Sequence, residues 1–300
     1  MRSSLAALWL LLSLAACQSN SKKTIAVIPK GTSHEFWVSV QKGAQKAATE
    51  FNVNMEWSGP PTETEYGRQL EIFDAMINRR VDGIAVAATD KKVLSQSIDR
   101  AMLAGIPVTV FDSGVDTENY ISFVATNNVE AGKMGARELG KLLGGKGKVA
   151  MMANAPGSVS TMDRERGFNE ALAAEFPGIL LVATQFGMSD RSKAMNAAEN
   201  ILTAHNDLNG FFASSEPSSV GIAQALKGRN LAGKVKLVAF DQSDAMNADC
   251  KAGVIDAMVI QDPVKMGYEA VKTVVDKLNG KAPAKRIDLE ARVVRKSDLP

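Results

Sequence analysis

The sequence predicts an α/β fold of two similar lobes, each built on a parallel sheet covered by helices. Three observations carry this. From residue 24 onward, short β-branched runs alternate with Ala-rich helical stretches, and such βαβα alternation implies parallel sheets with right-handed crossovers. Several runs are continuously apolar, as in Ile25-Ala26-Val27-Ile28 and Leu237-Val238-Ala239-Phe240, the pattern of strands buried on both faces. The two halves also look alike: each has a strand, a helix and a second strand ending in Phe-Asp, at Phe111-Asp112 and Phe240-Asp241.

In the first half the expected strands are Thr24–Pro29, Asn52–Trp57, Gly83–Ala87, Pro107–Phe111 and Ile121–Ala125. Between and after them come expected helices at Phe36–Glu50, Tyr66–Arg79, Lys92–Ala104 and Asn128–Leu143. The second half continues with strands Lys148–Met152, Ile179–Gln185, Gly210–Ala213, Val235–Phe240 and Ile255–Ile260. Its helices are expected at Arg164–Glu175, Arg191–Thr203, Ser218–Lys227, Ala245–Ala252 and Val264–Leu278.

The start of the chain is of another kind. Met1 and Arg2 precede an apolar run from Leu5 to Ala16, which closes on small residues before Cys17. This is the pattern of a secretory signal, expected over residues 1–16. Leu14-Ala15-Ala16-Cys17 resembles a bacterial lipobox, in which the Cys becomes the lipidated N-terminus, so residues 17–23 read as a lipidated tether. The apolar run falls short of the roughly 20 residues a membrane span needs. An exported chain anchored by acyl groups argues against DNA regulators and most nucleotide-dependent enzymes.

Cys17 to Pro300 is long for one core and suits two. Hydrophobic residues make up 45% and charged ones 23%, a balance that argues against disorder. Net charge is +2, without the basic footprint of a nucleic-acid binder. With Cys17 acylated, Cys250 is left without a disulfide partner. Chemical motifs fail on inspection. Gly140 to Lys146 fits seven positions of a P-loop, but Gly147 replaces the Ser or Thr and a strand follows. His34-Glu35 lacks the second His of a zincin. No nucleophile–base–orienter set and no metal cluster emerges, so neither cofactor nor metal is expected.

Ligands of open α/β sheets bind beyond the carboxyl ends of strands, which directs attention to the residues there. After the first strand, His34, Phe36 and Trp37 could face a sugar ring, although the two aromatics also suit the packing of a first helical turn. Asp112 and Asp241 hold matching positions in the two halves, and a carboxylate can hold two vicinal hydroxyls. Arg164 opens a helix and offers a rigid fork of donors; Gln261 follows a strand and both donates and accepts. Ser215 offers a hydroxyl to a ligand or to the next helix. Asn127 reads equally as ligand contact, crossover residue or helix cap.

These residues also carry a resemblance. Phe36-Trp37-Val38-Ser39 runs on to Gly43-Ala44-Gln45-Lys46-Ala47-Ala48, followed by Gly105-Ile106-Pro107-Val108 with Asp112. Arg164-Glu165-Arg166-Gly167-Phe168, Phe240-Asp241 and Gln261-Asp262-Pro263 complete the set. In this order and spacing the chain resembles, over 24–296, the type I periplasmic sugar-binding proteins of the ribose- and galactose-binding kind. The resemblance implies Rossmann-like lobes joined by a three-strand hinge, one covering 24–126 and 262–286, the other 127–261 and 287–300. It implies a monosaccharide or similar polyol bound by His34, Phe36, Trp37, Asp112, Arg164, Ser215, Asp241 and Gln261, and Ser113 beside Asp112 and the strand-end Asn127 complete the expected site. Ser113 stands where ribose binders typically carry Arg, and His34-Glu35 where they carry Asn-Pro. The pocket is therefore expected to be roomier and less cationic, and ribose is not carried over as the ligand. The implied protein is a monomeric, non-enzymatic, lipid-anchored component of an ABC importer in the periplasm or cell envelope, with a membrane permease and ATPase subunits as partners. The alternative is a lipoprotein presenting a sugar or small signal to a chemoreceptor or sensor kinase.

Overall fold

A computed structural model describes residues 22–300; the expected signal peptide, Cys17 and most of the tether lie outside the described residues. The first run of elements is β1 (Thr24–Ile28), α1 (Glu35–Glu50), β2 (Asn54–Trp57), α2 (Tyr66–Asn78), β3 (Gly83–Val86), α3 (Ser95–Leu103), β4 (Val108–Phe111) and β5 (Ser122–Thr126). Then come α4 (Asn128–Leu142), β6 (Lys146–Ala153), α5 (Val159–Glu175), β7 (Gly178–Phe186), α6 (Arg191–Ala204), β8 (Gly210–Ala213), α7 (Glu216–Gly228), β9 (Lys236–Phe240) and α8 (Asp244–Lys251). The chain closes with β10 (Ala257–Ile260), α9 (Pro263–Leu278), β11 (Arg286–Leu289) and β12 (Arg292–Arg295).

These strands form two six-stranded sheets, ordered β11-β5-β4-β3-β1-β2 and β12-β10-β9-β8-β6-β7. Strand for strand the orders are the same. All pairings are parallel except β10 with β12. Central strands such as β1, β3, β4, β8 and β9 are apolar on both faces because helices cover both. Each sheet accordingly has two apolar clusters, one per face. Cys250 is a free, buried thiol in the second lobe's core.

The chain crosses between the lobes three times: between β5 and α4, between β10 and α9, and between β11 and β12. The third crossing corrects the expected boundary at 286/287. Residues Arg286–Leu289 pair with β5 of the first sheet, and Leu289 is buried in the first lobe's core, so the crossing falls at Glu290 and Ala291. Neither β11 nor β12 is among the expected strands. Both are four-residue segments with two charged residues and one buried position each, too short for an alternation to stand out.

Two helix pairs approach unusually closely, one per lobe. A Cβ at Gly43 of α1 would lie 1.8 Å from the Val264 carbonyl oxygen of α9, and one at Gly267 would lie 2.0 Å from that of Val40. In the second lobe a Cβ at Gly132 of α4 would lie 1.9 Å from the Arg164 carbonyl oxygen of α5, and one at Gly167 would lie 2.0 Å from that of Val129. Only glycine permits backbone contact at this range.

Candidate functional site

The carboxyl ends of the two sheets face each other. In each sheet the strand order reverses beside the first strand, so neighbouring loops diverge and leave a crevice. The two crevices meet in one narrow cavity between the lobes with about 20 Å³ of free space, room for roughly one water molecule.

The first-lobe wall starts where Pro29 ends β1. Buried Gln69 of α2 fixes this end: its Nε2 donates to the carbonyls of Pro29 (2.9 Å) and Ala87 (2.8 Å), and its Oε1 accepts from the amide and hydroxyl of Thr89. Lys30 follows, almost fully buried. Its Nζ lies 3.1 Å from Asp112 Oδ2 and donates across the cleft to Ser158 Oγ (3.1 Å) and Ser160 Oγ (3.2 Å). Glu63, from the loop after β2, accepts from Trp37 Nε1 at 2.8 Å and lies 3.4 Å from His34 Nδ1. Burial by itself would raise the Glu63 carboxyl; the Lys30 charge, His34 and the Trp37 indole outweigh it and hold the group well below the usual carboxylate range. Burial works against a charge on His34, yet its contact with Glu63 and the field of Glu63 and Glu216 leave its pKa raised. Phe36 and Trp37 meet edge to face with ring centres 4.9 Å apart.

The second-lobe wall is built on helix α5, which begins at Val159; Arg164 is therefore in its second turn and does not open it, as the sequence suggested. The Ser158 hydroxyl, at the N-cap position, meets Lys30 across the cleft instead of capping the helix. Arg164 Nε donates to Asn128 Oδ1 (2.9 Å), Nη1 donates to the Ser214 carbonyl (3.0 Å), and the guanidinium stacks 3.9 Å from the Phe240 ring centre. Glu165 ties the ends of β6 and β8 together by accepting from the Asn154 amide and the Ser214 hydroxyl. Burial leaves its pKa raised in spite of these bonds.

Asp112 and Asp241 follow β4 and β9, each with a left-handed backbone (φ 58° and 70°). Each amide donates at 2.9 Å to the neighbouring strand, to Val124 and Val259 respectively. Asp tolerates this conformation better than most residues, which explains its use at both turns. Asp241 Oδ1 accepts from Gln261 Nε2 (2.7 Å) and Oδ2 from the Glu216 amide (3.2 Å). Burial pushes its carboxyl up to about 6; Arg164 and Gln261 oppose the shift, and Glu216 and Asp112 add to it.

Eight of the ten residues expected at the site line this cavity: His34, Phe36, Trp37, Asp112, Arg164, Ser215, Asp241 and Gln261. Two do not. Asn127 caps α4, its side chain accepting from the Glu130 amide at 3.2 Å, which is one of the roles its position allowed. Ser113 is fully buried behind the wall, where its Oγ accepts from the Ser160 amide of the other lobe at 3.2 Å. Seven lining residues were not anticipated: Lys30, Glu63, Asn154, Ser160, Thr161, Glu216 and Pro217. The bare spacing of charges in loops hid most of them, although Lys30 and Asn154, just past β1 and β6, satisfy the strand-end rule that found the two Asp residues.

No group of three or more potential metal ligands occurs among the described residues, and no described helix is long and apolar enough to cross a membrane. The wall instead offers carboxylates, a guanidinium, an ammonium and an amide around two aromatic rings, a set matched to many hydroxyls on one small molecule.

Known proteins share this design. The D-allose-binding periplasmic protein of Escherichia coli (strain K12) is 30% identical over 84% of this chain and 83% of its own length. The ribose import binding protein of Bacillus subtilis (strain 168) is 28% identical over 90% and 87%. A carbohydrate-transporter solute-binding protein from Agrobacterium radiobacter, solved with D-arabinose, superposes with a TM-score of 0.91 at 29% identity, covering 93% of this chain and 96% of that one. An ABC-transporter solute-binding protein from Agrobacterium vitis, bound to α-D-tagatopyranose, does so at 0.89 and 31%, covering 92% and 96%. The model of the periplasmic binding protein domain matches residues 25–282, a span that holds every cavity-lining residue, and the chain belongs to this family.

Proposed function

We propose that this protein is the solute-binding component of an ATP-driven sugar importer and holds a monosaccharide or small polyol between its lobes. The observation that carries the reading is the convergence of polar side chains from both lobes, Asp112 from one and Arg164, Asp241 and Gln261 from the other side, on one buried cavity beside Phe36 and Trp37. A ligand touching both walls favours the closed arrangement over the open one by the contacts it makes to both at once. The relatives' sugars, D-allose, ribose, D-arabinose and D-tagatose, define the class to test. Lipidation at Cys17 would hold the protein at a bacterial membrane within the periplasm or cell envelope, close to a permease that reads the closed shape. The protein acts as a monomer that binds and releases without chemistry.

A thermal-shift screen of the chain from Gln18 onward, unfolded and refolded to strip bound ligand, tests this. The panel contains pentoses, hexoses, deoxy sugars, polyols and sugar acids. A ligand at a hundred times its Kd stabilises by about 2.7 kcal/mol, a rise of several degrees for a chain of this size. Silence across the panel would reject the reading.

A further inference from the structure

Glu216, the first residue of α7, is 1% exposed and lines the cavity. Its Oε1 accepts from Arg191 Nη2 at 2.5 Å, and its amide serves Asp241. Its Oε2 is buried and accepts no hydrogen bond from any described residue. Pro217 beside it has no N–H, and the Ser215 hydroxyl points to Asn154 Oδ1 and Ser218 Oγ, each at 3.1 Å. Leaving a buried charged acceptor unpaired is unfavourable, and a ligand bringing a donor to it removes that penalty. An added anionic group brought to this oxygen would meet the Glu216 carboxylate at close range and low dielectric.

We propose that Glu216 Oε2 accepts a hydrogen bond from a hydroxyl of the bound molecule, and that Glu216 thereby selects neutral, hydroxyl-rich ligands over sugar acids and sugar phosphates. The inference rests on the sugar-clamp reading above and assigns one end of the cleft its acceptor. A Gln at this position has a single oxygen for two donors, Arg191 and the ligand, so it is a poor replacement.

Titration calorimetry of wild type, E216Q and E216A against D-ribose, D-allose, D-arabinose, D-tagatose, D-galacturonate and D-ribose 5-phosphate tests it. Wild type is expected to bind at least one neutral sugar, and both anions at least about 100-fold more weakly. E216A is expected to lose about 10- to 100-fold for that sugar, and E216Q somewhat less. The monodeoxy derivative lacking the hydroxyl that meets Glu216 should bind wild type and E216A alike, which a merely structural role would not produce. If E216A fails to fold, the isosteric E216Q and the deoxy series on wild type carry the test. Variants within threefold of wild type, a uniform loss across every deoxy derivative, or tight binding of either anion would overturn the assignment while leaving a sugar clamp standing. Wild type binding none of the six overturns the sugar-clamp reading and the assignment with it.

Discussion

The two lobes share strand order, the Asp after the fourth strand of each sheet and even its left-handed backbone, yet they present their cations in opposite ways. In the first lobe Lys30 sits in a loop, and its ammonium bonds Asp112 of its own lobe and two Ser hydroxyls of the other. In the second lobe Arg164 is clamped within a helix by Asn128, the Ser214 carbonyl and the Phe240 ring. A lysine stem reaches and re-aims; a guanidinium fork held on three sides does neither. One wall of the cleft is thus adaptable and the other preorganised, which predicts that the preorganised wall carries more of a ligand's binding energy.

Replacing the two cations sharpens that contrast most. Arg164→Ala removes a buried guanidinium and takes from Asn128 Oδ1 and the Ser214 carbonyl the donor each now has. It is expected to weaken sugar binding by more than about 1,000-fold, since charged hydrogen bonds contribute roughly 1.5–3 kcal/mol each and several go together. Lys30→Met, which keeps the stem, is expected to cost about 10- to 100-fold, because it removes a single re-aimable ammonium and not a fixed fork of donors. Calorimetry on both variants decides, with melting curves to confirm the fold. Equal losses would erase the distinction between the walls.

How much of this was legible in the sequence follows the same division. The apolar strands, the repeat and the paired Asp residues could be read because burial and a left-handed turn restrict residue type locally. Arg164 could be read as a site residue, but its helix could not be started correctly, since Ser158 turns from capping to a partner in the other lobe. Ser113 looked like an open position in the pocket because a Ser replacing Arg suggests space; the Ser160 amide of the facing lobe takes its hydroxyl instead. Glu63 and Glu216 escaped notice for one reason. Their roles depend on residues far away in sequence, Lys30 and His34 for one, Arg191 and Asp241 for the other.

A pH series sharpens the comparison at the second Asp. Asp241, carried to about 6 by burial, loses its charge as pH falls through that value. In the unliganded protein its raised pKa means that this carboxyl favours the fold most below about 3.8, an advantage lost as pH rises through 6. Glu63 acts in the opposite sense: its lowered pKa contributes stability present above 4.5 and lost in acid. A ligand whose hydroxyls donate to the ionised Asp241 is expected to bind about tenfold more weakly at pH 5 than at pH 7.5. His34, its pKa raised above the usual value by Glu63, also responds to pH, so the series is repeated on His34→Gln; the fall persists there if Asp241 carries it. A flat profile from pH 5 to 7.5 in wild type would remove Asp241 from the ligand's acceptors.

The smallest expected effect separates packing from binding. Gly43 and Gly132 stand at equivalent helix contacts, and a Cβ on either would press into a facing carbonyl, at 1.8 Å and 1.9 Å. Alanine at each position must push two helices apart, at about 1–3 kcal/mol of stability in both cases. The carbonyls differ in what they belong to. Gly43 faces Val264, which does not line the cavity, whereas Gly132 faces the backbone of Arg164. Displacing α5 by a few tenths of an ångström carries the guanidinium away from the position that Asn128, Ser214 and Phe240 define for it. Gly132→Ala is therefore expected to weaken sugar binding about three- to tenfold at a temperature where the variant is fully folded, and Gly43→Ala to leave it within twofold, for the same drop in melting temperature. Equal binding by the two variants would show that the close approach of α4 to α5 serves the core alone, and that Arg164 holds its place through its own three contacts.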